Sequence, residues 1–229
     1  MRLFDRAGSQ SRRLALTSAI VAGAMGGVAA APALVHGQES RLFQNSWFWG
    51  AHVGTTHVST GVGSAINAGT LGGEWMITRS RGGLYVSYDQ ANFSRTGQIA
   101  DATANNGERA VSIHDMRTIS LAGVAFPAQF GNFRPYGGIG FSLSVLGRAT
   151  AQPDLVTSTT PSSDVMQQTD DAKSRAGVFA IGGGQWQHNR TALFAQITST
   201  PSNGDFLITG PVTTLSIGVR YNFGSSIDK

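Results

Sequence analysis

The 229-residue chain contains no cysteine, and that absence removes several kinds of protein at once. No disulfide framework, thiolate zinc site or thiol nucleophile can be built from it. Charge is scarce too: 13% of residues carry one, and lysine occurs only at Lys173 and Lys229. Such a composition argues against disorder, because disordered chains are richer in charge and poorer in aromatics. After the first forty residues there is no apolar run of about twenty residues, the length a membrane-spanning helix needs. A helical membrane protein is therefore excluded. What the chain does hold is 30 glycines with abundant Ser and Thr, a composition that suits one β-domain.

The first residues read as an export signal. Arg2, Arg6, Arg12 and Arg13 precede an apolar run from Leu14 to Val35, and Val35-His36-Gly37 offers a cleavage site before Gln38. Residues 1–37 are thus expected to be a signal peptide and 38–229 the mature domain. A retained anchor is the alternative, weakened by Gly23, Gly26, Gly27 and Pro32 inside the run. Ser11-Arg12-Arg13-Leu14-Ala15-Leu16 faintly resembles a twin-arginine signal. That route carries folded cargo, whereas a membrane barrel crosses unfolded, so Sec-type export is expected. Removing the leader leaves 13 basic and 12 acidic residues, a net charge of +1. No basic patch suggesting nucleic acid survives.

From Ser46 onward, strand-like runs alternate with turn clusters. Strands are expected at 46–57, 66–78, 83–94, 110–126, 134–148, 174–186, 191–200 and 213–223. Ile139, Phe141, Leu143 and Val145 oppose Gly138, Gly140, Ser142 and Ser144. Likewise Leu84, Val86 and Tyr88 oppose Tyr85, Ser87 and Asp89. The sixth and seventh strands are apolar on both parities, so their phase stays open. Eight tilted strands of this length can cross a bilayer and close without an edge.

The connections are sorted by parity. Links two, four and six are short, at 79–82, 127–133 and 187–190. Links one, three, five and seven, roughly 58–65, 95–109, 149–173 and 201–212, are longer and polar. Short turns alternating with long loops are the pattern of outer-membrane barrels, with turns in the periplasm and loops outside. Trp47, Trp49, Phe133, Tyr136, Trp186, Tyr221 and Phe223 all lie near the inferred periplasmic strand ends, where an aromatic girdle belongs.

The last strand is the most specific stretch. Leu215, Ile217, Val219, Tyr221 and Phe223 share one face, while Ser216, Gly218, Arg220 and Asn222 share the other. Over about residues 44–223 the chain resembles the small eight-stranded outer-membrane barrels of the OmpA transmembrane-domain and OmpX type. Its Tyr221-Asn222-Phe223 is similar to the aromatic-x-Phe ending that the barrel-assembly machinery recognises. Members of that group commonly end on the Phe, whereas here Gly224 to Lys229 follow. The resemblance implies an all-β, closed, antiparallel up-and-down barrel in the bacterial outer membrane, with lipid and the assembly machinery as partners.

Charges in a narrow lumen need partners. Glu74 on the second strand and Arg220 on the eighth take the inward parity, and both flank the first strand. They are expected to pair across the lumen, an arrangement similar to the carboxylate–arginine plug of OmpA-type barrels. Such a pair is either a gate or a filled polar core, and small barrels are generally filled. His57-Val58-Ser59 resembles the His-x-Ser pair of small lipid A deacylase barrels. It lies at the end of the first strand instead of late in the barrel, and no partner acid is assignable. His52, His57, His114 and His188 show no metal-ligand spacing, so no metal or cofactor is expected. The reading is a non-enzymatic outer-membrane barrel with specificity in its external loops, 95–109 and 149–173 above all. A narrow channel, a lipid-directed rim hydrolase using His57 and Ser59, and a soluble periplasmic ligand-binding barrel are the alternatives.

Overall fold

Alternating side chains make the two sides of a single closed wall. The computed structural model describes residues 43–59, 65–102, 104, 107–153, 163–201 and 206–225. The expected signal peptide, residues 1–37, lies outside these. The strands are β1 (Ser46–Val58), β2 (Ile66–Thr78), β3 (Gly82–Ala100), β4 (Glu108–Ala125), β5 (Phe133–Leu146), β6 (Ala149–Ala151), β7 (Ser174–His188), β8 (Thr191–Thr200) and β9 (Val212–Ser225). One helix, α1 (Ser163–Asp171), precedes β7.

Every neighbouring pair is antiparallel, in the order β3-β2-β1-β9-β8-β7-β5-β4, and a β3–β4 pairing closes the ring. The last strand zips onto the first, with Trp49 opposite Tyr221 and Gly50 opposite Arg220. Eight strands therefore form an edgeless barrel, and the short β6 is an addition along β4.

The wall is apolar outside. Ile139 and Phe141 are 74% and 70% exposed, and Val53, Leu71, Ile119, Leu193 and Ile217 stand out in the same way. The open phases of the sixth and seventh expected strands resolve here. Phe179, Ile181 and Gln185 of β7 and Ala192, Phe194 and Gln196 of β8 face in, while Val178, Trp186, Leu193 and Ile197 face out. An apolar belt of this size on a water-facing surface would drive association.

The interior is layered. At the end bearing the short turns, Phe43, Phe48, Met76, Tyr85, Phe126 and Tyr136 belong to one apolar cluster, with the Arg134 guanidinium 3.7 Å over the Phe43 ring. A second apolar cluster closes the loop end. It gathers Val58, Val111, Ile113, Leu146, Phe206, Leu207 and Ile208 from strand tips and links.

This cap is where the chain departs from expectation. Residues 95–109, expected as a polar loop, mostly extend the β3–β4 hairpin, with a register shift between Asn92 and Arg95. On β4 the inward parity switches between Met116 and Asp115, both buried. A one-residue slip flips every later side chain to the other face. Val111 and Ile113 thereby turn inward over the mouth. Facing them on β5–β6, Gly147 accommodates the bend, because any side chain there would meet the Asp115 carboxylate. The stretch 149–173, expected as the longest loop, supplies β6 and α1 to the same cap. Arg109 binds Asp101 at 2.5 Å and the Gln152 carbonyl at 3.0 Å, tying the hairpin to that link.

Ile139→Arg should destabilise the barrel in a bilayer by about 2–4 kcal/mol, the cost of a cation near mid-depth on a lipid face. Urea titration in lipid vesicles measures it; an unchanged midpoint would show that this wall does not meet hydrocarbon.

Candidate functional site

The inward residues of adjacent strands meet at one level of the lumen. Gly50 on β1 lies directly between Glu74 on β2 and Arg220 on β9 in the hydrogen-bond register. Both side chains point inward because Glu74 shares parity with Met76 and Arg220 with Ser216 and Asn222. Only glycine suits the intervening position. A Cβ on Gly50 would sit 2.9 Å from the Val219 carbonyl oxygen and 3.0 to 3.1 Å from the Arg220 and Glu74 side chains.

The two charges are completely buried and joined: Arg220 Nε donates to Glu74 Oε1. Arg220 Nη1 donates to Gln185 Oε1 at 2.8 Å. Its Nη2 reaches the Tyr136 hydroxyl at 3.0 Å and Gln196 Oε1 at 3.1 Å. The guanidinium also stacks 3.9 Å over the Phe194 ring. On the acid, Glu74 Oε2 accepts from the Tyr85 hydroxyl and from Gln196 Nε2, each at 3.2 Å. Tyr136 in turn donates to Gln196 Oε1 at 2.7 Å. Four hydrogen bonds and a ring face thus meet this buried guanidinium, which is what makes its burial tolerable.

One step toward the loop end, His52 Nε2 lies 2.6 Å from Asp89 Oδ1, and its Nδ1 is 3.7 Å from Glu74 Oε2. Ser87 donates to the other Asp89 oxygen at 3.0 Å. Counting His52, side chains from seven of the eight barrel strands join this cluster; β4 alone contributes none. Above it lies a cavity of about 30 Å³ lined by Thr56, Thr70, Thr118, Ser144, Thr198 and Thr214 among others. That volume has room for a few waters. Thr56 on β1 joins Thr70 on β2 and Thr214 on β9 along its wall at 2.6 and 2.7 Å. The chamber is bounded by the ionic cluster on one side and the apolar cap on the other.

Tyr136 requires a correction. Expected in the aromatic girdle, it is 4% exposed and belongs to the Arg220 network. Its parity is that of the inward Ser142 and Ser144, and position near a strand end did not override that alternation. Trp47, Trp49, Trp186, Tyr221 and Phe223 do stand outward at the turn end. They are joined there by Trp75, whose ring centroid lies 5.4 Å from Trp47 and 5.9 Å from Trp49.

Among the described residues the catalytic candidates are not brought together with an acid. His57 faces outward, and its Nδ1 lies 3.1 Å from the amide oxygen of Asn67. The Ser59 carbonyl accepts from the Gly210 amide in the cap. His114 and Asp115 point to opposite sides; Asp115 is buried, 3.3 Å from Arg117 Nε and 3.6 Å from Arg148 Nε. Gln185 and Gln196 were missed from sequence because both parities of their strands are apolar.

No protein-family model matches the chain, and no curated protein matches it in sequence. Solved structures do. Neisserial surface protein A superposes with a TM-score of 0.52 at 14% identity, over 77% of this chain and 97% of that one. The fold is that of the small eight-stranded outer-membrane barrels. Ail, the attachment invasion locus protein of Yersinia pestis, is similar over 79% of this chain and 100% of its own, with a TM-score of 0.49 at 12% identity. A de novo designed transmembrane β-barrel aligns over 78% of this chain and 96% of its own, with a TM-score of 0.41 at 13% identity. Within this architecture the polar cluster is the plug of the barrel.

Arg220→Met strands the buried Glu74 carboxylate and should cost about 3–5 kcal/mol, and Glu74→Leu combined with Arg220→Met should recover much of that loss. Urea denaturation in vesicles provides the readout. A double variant as unstable as the single one would show that the arginine acts through packing alone.

Proposed function

We propose that the protein is an outer-membrane scaffold, neither a solute channel nor an enzyme, whose capped loop end is a surface for contacts outside the cell. The observation that carries this is the double closure of the lumen. The Glu74–Arg220 cluster spans its middle, and the Val111, Ile113, Leu207 and Ile208 cap shuts its mouth. A conducting barrel needs a continuous polar path, and here the small threonine-lined chamber lies between the two closures.

The orientation follows from the connections. Short turns belong in the periplasm, and the long links, tied into the cap, face outward. Three of those links share backbone hydrogen bonds: Leu207 N donates to Ala172 O at 3.4 Å and Gly210 N to Ser59 O at 3.3 Å. This end is therefore a packed platform and not a set of separate loops. The extended β3–β4 hairpin and α1 belong to this end, and 95–109 and 149–173 are its contact surface. A surface role is in keeping with the Neisserial protein of like fold, itself a surface protein. The rim-hydrolase reading loses support because the amide of Asn67 faces His57, and among the described residues no carboxylate pairs with it.

Cell fractionation with a heat-modifiability gel tests this. The protein should partition with the outer membrane and shift in mobility on boiling. A peptide tag within 154–162 should be labelled on intact cells, whereas one at Gly131 should be silent. A soluble protein without a heat shift, or the reversed labelling pattern, would overturn the reading.

A further inference from the structure

Among the described residues, the short turns of the barrel carry a one-signed charge pattern that neither the plug nor the cap accounts for. Arg79 and Arg81 are exposed in the β2–β3 turn, and Arg190 is exposed in the β7–β8 turn beside the exposed His188. Residues 79–81, 126–132 and 189–190, which make the three short turns, contain no carboxylate. The basic residue Arg134 at this end is withdrawn: it is buried against Phe43 and donates to Gln129 at 2.7 Å. The arginines that remain outside are held on fixed backbone. Arg79 N donates to Gly82 O at 2.7 Å, Arg81 O accepts from Phe126 N at 2.8 Å, and Arg190 O accepts from Asn222 N at 2.7 Å.

Their placement is matched to the aromatic rings. Between the two arginine-bearing turns the wall runs through β2, β1, β9 and β8. Across that arc Trp75 meets Trp47 edge-on and Trp49 at a tilt, Trp49 lies opposite Tyr221, and Tyr221 meets Phe223 at 5.2 Å. Amphipathic rings of this kind settle at headgroup level, with hydrocarbon above them against Val53, Leu71 and Val219. Arg79 lies two residues beyond Ile77, the partner of Trp47, and Arg190 is level with Asn222, between Tyr221 and Phe223. The guanidinium groups therefore start at the level of the rings, within reach of a headgroup phosphate.

We propose that Arg79, Arg81 and Arg190 bind the phosphodiester headgroups of anionic phospholipids in the leaflet at the turn end, selecting a phosphatidylglycerol-type lipid over zwitterionic ones. This rests on the membrane reading above. Guanidinium pairs with phosphate through two parallel N–H···O bonds, so both charge and shape fit. A zwitterionic headgroup carries its own cation and gains less. Each arginine near an anionic surface raises lipid association roughly fivefold, and salt screens the effect. The aromatic rings would fix the depth of the barrel, and the arginines would select which lipids surround that end.

All four tryptophans, Trp47, Trp49, Trp75 and Trp186, lie at this end and report on it alone. The protein is refolded into phosphatidylcholine vesicles, and quenching of tryptophan fluorescence by brominated phosphatidylglycerol is compared with quenching by brominated phosphatidylcholine. The wild type should favour the anionic lipid by tenfold or more at low salt and lose most of that preference in 0.5 M NaCl. R79Q/R81Q/R190Q, still heat-modifiable, should fall to near onefold, while R79K/R81K/R190K should keep most of the preference. If the triple glutamine variant does not insert, each single glutamine variant should lose roughly fivefold. A heat-modifiable wild type without lipid preference, or a glutamine variant that retains it, would overturn the proposal. A wild type without a heat shift would contradict the membrane reading instead.

Discussion

The pairing of Glu74 with Arg220 is the constraint on which the interior depends. Two opposite charges buried in a narrow lumen leave few acceptable neighbours. The residue between them must be glycine, and Gly50 occupies that place. The remaining donors of the guanidinium must find acceptors, and Gln185, Gln196 and Tyr136 supply them from three other strands. Because these partners come from strands far apart in sequence, the network also fixes the register of the closing β1–β9 seam. A slip of one residue there would turn Arg220 out and Tyr221 in.

Around this polar waist the protein has two apolar ends of different origin. The turn-end cluster is made by strand residues, by Phe126 of the β4–β5 turn and by the short segment ahead of β1, and its strand part follows directly from alternation. At the loop end the cap is made by breaking alternation. The register shift opposite Asp115–Met116 re-aims the upper part of β4, converting two wall residues into lid residues. The same chain thus builds a lipid-facing cylinder and a water-facing lid from one hairpin. Only the first needs a bilayer.

Much of this was legible in the sequence, for reasons that differ by element. Strand parity is a local property, so Glu74, Arg220 and the faces of β5 and β9 could be read directly. The parity of Tyr136 was equally readable, yet its nearness to a strand end suggested the girdle; alternation was the stronger signal. Long-range effects were hidden. The polar stretch 95–109 carries few apolar residues, so its continuation as a hairpin is set by packing of Ile99, Val111 and Ile113 against Phe206 to Ile208. The inward phase of Gln185 and Gln196 was masked because β7 and β8 are apolar on both sides, as strands are when one face meets lipid and the other a partly apolar lumen. The pairing of His57 with Asn67 depends on the β1–β2 register and lay beyond any motif.

The central claim is that the lumen is closed by the ionic waist and the cap. Single-channel recording in planar bilayers tests it most directly, using protein whose insertion is established by its heat-dependent mobility. The account predicts an electrically silent barrel, with no stable conductance steps at moderate voltage. Regular, long-lived steps from the folded wild-type protein would contradict it.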